Sequence, residues 1–241
     1  MRIPRIYTQQ PLTSGATIAL EDGPSRHISK VLRMQLGRTL TLFNGLGGEY
    51  SASITLTGKK VVEVAIAEFS EDNRQSPLKV ELAIALSKGD RFDFVLQKAT
   101  ELGVSKIIPL LTNNSNIKLS PERMDKKLNS WQQVLISACE QCQLNIVPKL
   151  LNPMKFEDWL GQCKSDLKLV LHHRSEQSLK NLAKPQNLTL LIGPEGGLSQ
   201  IEIELAQQHN FQALTLGPRV LRTETAPIAA LTLAQYLWGD F

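Results

Sequence analysis

The sequence predicts an α/β protein, a parallel sheet covered by helices and preceded by a small β-rich domain. Residues 1–70 are dominated by short runs rich in β-branched side chains. Residues 71–77 then read as a linker, with no apolar side chain and a proline at the end. From residue 78 to residue 241, strand-like and helix-like runs alternate. Such alternation argues for parallel strands buried on both faces.

Within residues 1–70, ATIAL (16–20), RTLTLFN (38–44), EYSASITLT (49–57) and KVVEVAIAEF (60–69) read as strands. Turn-like glycines at 45–48 and 58 separate the last three. One helix interrupts them, SRHISKVLR over 25–33. Helical spacing puts Ile28, Val31 and Leu32 on one face and leaves Arg26, Lys30 and Arg33 around the other. A small barrel carrying a basic helix is expected.

After the linker, LKVELAIAL (78–86) is a strand and DRFDFVLQKATELG (90–103) a helix. Phe92, Val95, Leu96, Ala99 and Leu102 follow i, i+3, i+4 spacing, and Gly103 supplies the stop. VSKIIPLL (104–111) is the next strand. The long helix SPERMDKKLNSWQQVLISACEQ (120–141) has Ser120 as its cap and Pro121 at its first position. LKLVLHH (167–173), LTLLIG (188–193) and FQALTLG (211–217) are strands, each followed by a helical segment, the last being TETAPIAALTLAQYLW (223–238). Ser199 and Glu202 have the spacing of a capping box.

Length and composition narrow the function classes. The 241 residues are 42% hydrophobic and 21% charged, as in an ordinary globular chain. MRIPRIYTQQP lacks the apolar stretch of a signal peptide. No apolar run approaches the roughly 18 residues of a membrane helix. The expected compartment is the cytoplasm, with no membrane partner. Three cysteines are too few and odd in number for a disulfide framework. Cys139 and Cys142 have C-x-x-C spacing but sit inside a helical pattern with no second pair, so they read as structural and no metal is expected. Residues 1–70 hold eight Lys/Arg against five Asp/Glu, giving +3 of the net +4. A basic N-terminal third suits a polyanion, or is a solvated surface.

Three strands of the second part end in unusual loops. They are Leu171-His172-His173-Arg174, IGPEGGL over 192–198, and LGPRVLRTE over 216–224. In a parallel sheet such loops gather at the carboxyl ends of the strands, where these folds bind ligands. Gly193, Gly196, Gly197 and Gly217 permit close backbone approach. Leu171, Leu191, Leu216 and Leu221 suit the walls around an adenine. Arg219, Arg222 and Glu224 give that end charged groups that a core would not tolerate unpaired. There is no G-x-x-x-x-G-K-[ST] and no G-x-G-x-x-G opening the α/β part, so phosphate-cradling nucleotides fit poorly. An adenosine ligand such as S-adenosylmethionine fits better.

The segments KGDRFDFVLQKATELGV (88–104), ACEQC (138–142), VPKL (147–150), LLIGPEGGLS (190–199) and LGPRVLRTETAPIAAL (216–231) closely resemble the RsmE family. So do HISKVLR (27–33) and MRIPRIY at the start. The resemblance runs nearly end to end. It implies a SPOUT-type parallel sheet with a C-terminal trefoil knot, preceded by a PUA-like RNA-binding β-barrel. It also implies a homodimer that binds S-adenosylmethionine and methylates N3 of uridine 1498 in 16S rRNA of the small ribosomal subunit. The implied cofactor wall is Leu171, His172, Leu191, Ile192, Gly193, Gly196, Gly197, Leu216, Gly217, Leu221 and Thr223. One position departs from the pattern: the family usually continues Glu-Gln-x-x-Arg, and here Leu144 stands in place of the arginine.

For the chemistry, Arg222 is the expected cation beside the uracil carbonyls, and Glu224 its orienting partner or the base that takes the N3 proton. An Arg222–Glu224 ion pair of purely structural role is the alternative, and Glu195 and Glu140 are competing bases. Arg5, His27, Lys30, Arg33, Lys88 and Arg91 are the expected RNA contacts, with Lys98 and Glu101 bordering the path. His172 and His173 read as pocket wall through their backbone groups. Two other functions fit the same residues: a sister SPOUT enzyme acting on another base or ribose, and an RNA-binding assembly factor without catalysis.

Overall fold

A computed structural model describes residues 3–58, 61–87, 89–115, 120–172, 179 and 182–241. The chain forms two compact units, Met1–Gln75 with Ile136–Val147, and Ser76–Leu135 with Pro148–Phe241. A division at a single linker does not express this, because the end of the long helix clusters with the first unit.

The first unit runs β1 (Arg5–Tyr7), β2 (Thr17–Ala19), α1 (Asp22–Arg26), a π-helical turn (His27–Val31), β3 (Thr39–Phe43), β4 (Glu49–Thr57) and β5 (Val62–Ser70). The strand order is β1-β3-β4-β5-β2, antiparallel throughout except for the parallel pair β1–β3. Burial follows the two-residue period of the pleat: Leu40 and Leu42 on β3, Ala52 and Ile54 on β4, and Val62, Val64 and Ile66 on β5 all point inward. Ile6 on the β1 edge and Leu20 just after β2 join the same core, so the sheet curls around it like a barrel.

The helix of this unit corrects one expectation. It begins at Asp22 and passes into a π-helical turn at His27. A π turn breaks the 100° step that would stack Val31 and Leu32 on Ile28. Ile28 is fully buried, while Val31 is 68% and Leu32 39% exposed beside Lys30 and Arg33.

The second unit contains β6 (Lys79–Ala85), α2 (Arg91–Glu101), β7 (Lys106–Leu111), most of α3 (Pro121–Cys142), β8 (Lys149–Leu150), β9 (Met154–Lys155), α4 (Phe156–Leu160), β10 (Leu167–Leu171), β11 (Asn187–Ile192), α5 (Gln200–Gln208), β12 (Gln212–Leu214) and α6 (Thr225–Trp238). Every strand pair is parallel, in the order β12-β10-β11-β6-β7-β8, with β9 also on β7. The outer edge of β7 is covered in two pieces, β8 opposite Lys106 and Ile107 and β9 opposite Leu110 and Leu111. The gap falls around Pro109, which has no N–H to donate.

Helix α2 buries Phe92, Val95, Leu96 and Ala99, the stripe its spacing predicts. Phe92 packs against Trp131 of α3 at 4.6 Å between ring centroids. The fully buried Gln235 of α6 accepts from Ser76 Oγ at 2.6 Å and donates to the Leu102 carbonyl at 2.9 Å, which satisfies its amide inside the unit.

Candidate cofactor site

Strands β12, β10 and β11 are neighbours, so their carboxyl ends at Leu214, Leu171 and Ile192 lie side by side. The loops leaving them enclose a cavity of about 340 Å³. Leu171, His172, Ile192, Gly193, Gly196, Gly197, Leu216, Gly217, Leu221 and Thr223 all line it. Leu191 does not. Its side chain is fully buried in the apolar core with Ala83, Ile108 and Val170. Pro194, Leu198, Leu214 and Val220 also line the cavity. The first, second and fourth lie in the two loops the sequence singles out, but nothing local shows which of a loop's side chains turn toward the cavity.

The glycine loop is shaped by its backbone. A Cβ on Gly193 would lie 2.9 Å from the Leu198 amide nitrogen, so no larger residue fits there. Beyond it, α5 opens with the expected capping box: Glu202 donates its amide to Ser199 Oγ at 3.3 Å, and the Ser199 amide donates to Glu202 Oε2 at 2.7 Å. The other Glu202 oxygen accepts the Asn113 amide at 2.8 Å, so this fully buried carboxylate is satisfied on both sides. Asn114 next door donates to the Gly197 carbonyl at 2.9 Å. The loop after β7 therefore braces the glycine loop, a relationship invisible in the sequence because about 80 residues separate the partners. His172 lines the cavity, and its amide donates to the Leu214 carbonyl at 2.9 Å, continuing the β10–β12 pairing.

A second hollow shares Glu195 with this cavity and is bounded by Gly89, Asp90, Arg91, Phe94 and Glu224. Arg91 Nη1 stands 3.0 Å from Glu195 Oε1. Glu224 Oε2 is buried with no hydrogen-bond partner. Arg222 borders neither space; its side chain is exposed, while its carbonyl accepts the Thr225 and Ala226 amides at 2.9 Å as α6 begins. Among the described residues, Arg222 and Glu224 form no ion pair.

The predicted RNA contacts divide. Lys30 and Arg33 are exposed and His27 half-buried in the first unit, Arg91 is half-exposed in the second, and Lys88 and His173 lie outside the described residues. Arg5 is a correction, because it does not present its guanidinium to solvent. Its side chain is 5% exposed, paired with Glu49 Oε2 at 2.6 Å, hydrogen-bonded to Asn145 Oδ1, and stacked over the Phe43 ring at 5.1 Å. Arg74 and Asn145 add bonds to the same Glu49 oxygen, each at 3.0 Å. Burial opposes ionisation of Glu49, but the donors Arg74, Arg5 and Asn145 prevail and hold its carboxyl at about 2. Leu144, in place of the family arginine, packs with Phe43 and Cys139. Glu140 accepts the Tyr7 amide at 3.0 Å, which gives it a structural task. Burial pushes the Cys139 thiol up to about 12, the behaviour of an inert core cysteine. Lys98 pairs with Glu101 on its own helix at 2.8 Å.

The family described as an RNA methyltransferase domain matches residues 74–235, and the RNA methyltransferase PUA domain matches residues 20–67. Fold and site are thus of the RNA-methyltransferase class. A Legionella pneumophila methyltransferase solved in complex with the bound cofactor SAM is 44% identical, with a TM-score of 0.98 and full coverage of both chains. Ribosomal RNA small subunit methyltransferase E from Neisseria gonorrhoeae, solved bound to S-adenosyl methionine, is 38% identical with a TM-score of 0.94, again over both whole chains. The protein of the same name from Buchnera aphidicola (subsp. Acyrthosiphon pisum) is 34% identical over 100% of this chain and 96% of its own. The chain belongs to the ribosomal RNA small subunit methyltransferase E family, RsmE.

Proposed function

We propose that this protein binds S-adenosylmethionine in the cavity at the ends of β10, β11 and β12 and methylates N3 of uridine 1498 in 16S rRNA. One observation carries the reading: a cavity walled by leucines and glycines adjoins a hollow lined in part by Glu224, whose buried Oε2 has no hydrogen-bond partner. The residues fit the cofactor. The volume of about 340 Å³ is within the range of small-molecule sites. Leucine side chains suit the adenine, and the glycine backbone suits close contact with polar edges.

When bound there, the cofactor supplies a methyl group already activated on a sulfonium, whose sulfur keeps the electron pair as the S–C bond breaks. The chain's own residues do the rest. The cavity walls hold the donor in line with N3, which is the main requirement of such a transfer. Glu224 Oε2 takes the N3 proton as the N3–C bond forms. Arg222 borders neither space, but it is exposed two residues before Glu224 and outside any ion pair among the described residues. On this reading it is the cation that reaches the negative charge developing on the uracil carbonyls once RNA is bound. N3 lies on the Watson–Crick edge, so the base must be drawn out of its stack.

The same reading assigns the barrel of residues 1–70 to RNA, through His27, Lys30 and Arg33. It includes Lys88 and Arg91 as RNA contacts, the C-terminal trefoil knot, a homodimer and residence in the cytoplasm. Among the described residues no helix is long and apolar enough to cross a membrane. The test is methyl transfer from labelled S-adenosylmethionine to small ribosomal subunits from cells lacking the modification, followed by mass spectrometry of the nucleosides. Labelled 3-methyluridine is expected. Another labelled nucleoside would sink the substrate assignment, and no label with cofactor bound would favour the assembly-factor alternative.

A further inference from the structure

The hollow beside the cofactor cavity has the chemistry to select one pyrimidine. Phe94 lies off the apolar stripe of α2: Phe92, Val95, Leu96 and Ala99 are buried, whereas Phe94 is 44% exposed at the hollow's edge. The core makes no demand for an aromatic ring at that position. Opposite chemistry comes from Glu224, whose buried Oε2 lacks the donor that such an atom requires. Arg91 offers a guanidinium of which one N–H group is committed, to Glu195 Oε1 at 3.0 Å. A flat apolar face, a carboxylate acceptor and a cationic donor thus border one space that opens beside the cofactor cavity.

Resting on the methyltransferase reading above, we propose that this hollow is the target-base pocket and that it discriminates uracil from cytosine. Phe94 stacks on the extruded base, as aromatic side chains do with unpaired nucleotides. Glu224 Oε2 accepts the N3–H of uracil, and Arg91 donates to a flanking carbonyl oxygen. Cytosine carries a lone pair at N3 in place of the hydrogen, so it faces the carboxylate acceptor-to-acceptor and is refused. Phe94 and Arg91 are then positioning and specificity residues for the target.

The test uses the full-length protein loaded with S-adenosylhomocysteine and a target-sequence RNA oligonucleotide carrying 5-iodouridine at the methylated position. Irradiation followed by peptide mass spectrometry is expected to find the crosslink on Phe94; a crosslink at another residue, or none, overturns the pocket. In parallel, Phe94→Leu is expected to lower kcat/KM on small subunits by about tenfold, with cofactor affinity and oligomeric mass unchanged. Phe94→Tyr recovers most of that loss. Wild-type turnover by Phe94→Leu, or a changed oligomeric mass, also overturns it. Methylation of the natural target with a crosslink elsewhere would sink the pocket alone. A Phe94 crosslink without any methylation would sink the methyltransferase reading and leave the base pocket standing.

Discussion

Asn114 donates its side-chain amide to the carbonyl oxygen of Gly197 at 2.9 Å, tying the loop after β7 to the glycine loop after β11. A wall made of glycine has little stiffness of its own, so the brace sets the shape that the cofactor meets. Asn114→Ala removes that bond and a longer one, at 3.4 Å, to the Gly196 carbonyl. A net loss of about 1 kcal/mol is expected, or roughly fivefold weaker S-adenosylmethionine binding by calorimetry.

Gly193→Ala attacks the same wall from within. The new methyl would sit 2.9 Å from the Leu198 nitrogen and 3.2 Å from the Gly197 carbonyl carbon, both backbone atoms that cannot rotate away. Overpacking of this kind costs about 1–3 kcal/mol, so cofactor affinity should fall about tenfold or more. Circular dichroism should still report a folded protein, because the clash is confined to one loop.

Arg222→Ala separates chemistry from binding. The side chain lines no part of the cofactor cavity, so S-adenosylmethionine affinity should stay within about twofold of wild type while kcat falls about a hundredfold. Equal losses in both would assign Arg222 to the structure of the loop.

Acid should reach the first unit through Glu49. Its carboxyl is held at about 2 in the folded protein, below its ordinary value of 4.5. The stability it contributes is therefore present above about pH 4.5 and is lost as pH falls toward 2. Wild type should exceed Glu49→Gln by about 2 kcal/mol at neutral pH, and the two should converge across that window in denaturant titrations.

Much of this was legible in the sequence because the signals were local. Runs rich in β-branched residues between turn glycines marked β3, β4 and β5, helical spacing marked α2, and the Ser199–Glu202 spacing marked the start of α5. The three loops of the cofactor cavity announced themselves by glycine and charge. The rest lay in contacts between distant residues or in exceptions to periodicity. Strand β1 is three residues, Arg5–Tyr7, with a single β-branched side chain, so no β-branched run marks it. Arg5 reads as a surface cation until Glu49 and Asn145 close around it from 44 and 140 residues away. Val31 and Leu32 were misplaced because a π turn does not keep the helical step. Phe94 had a signal that went unread, an aromatic ring off the buried stripe of its helix.

The first unit closes with residues that the ribosome delivers late. Asn145, Leu144 and Cys139 pack with Arg5, Glu49 and Phe43, yet they follow the barrel strands by some 70 residues or more. During synthesis the strands up to Ser70 emerge first, with Arg5, Phe43 and Glu49 already in hand. The contacts from Cys139, Leu144 and Asn145 are added only once the chain has passed Val147. A fragment cut after Gln75 would have its five strands and the Arg5–Glu49 and Arg74–Glu49 ion pairs. It would lack the apolar cover of Cys139 and Leu144 and the hydrogen bonds of Asn145. Dissection of the barrel for RNA-binding work therefore needs Ile136–Val147 supplied as a graft or a second peptide.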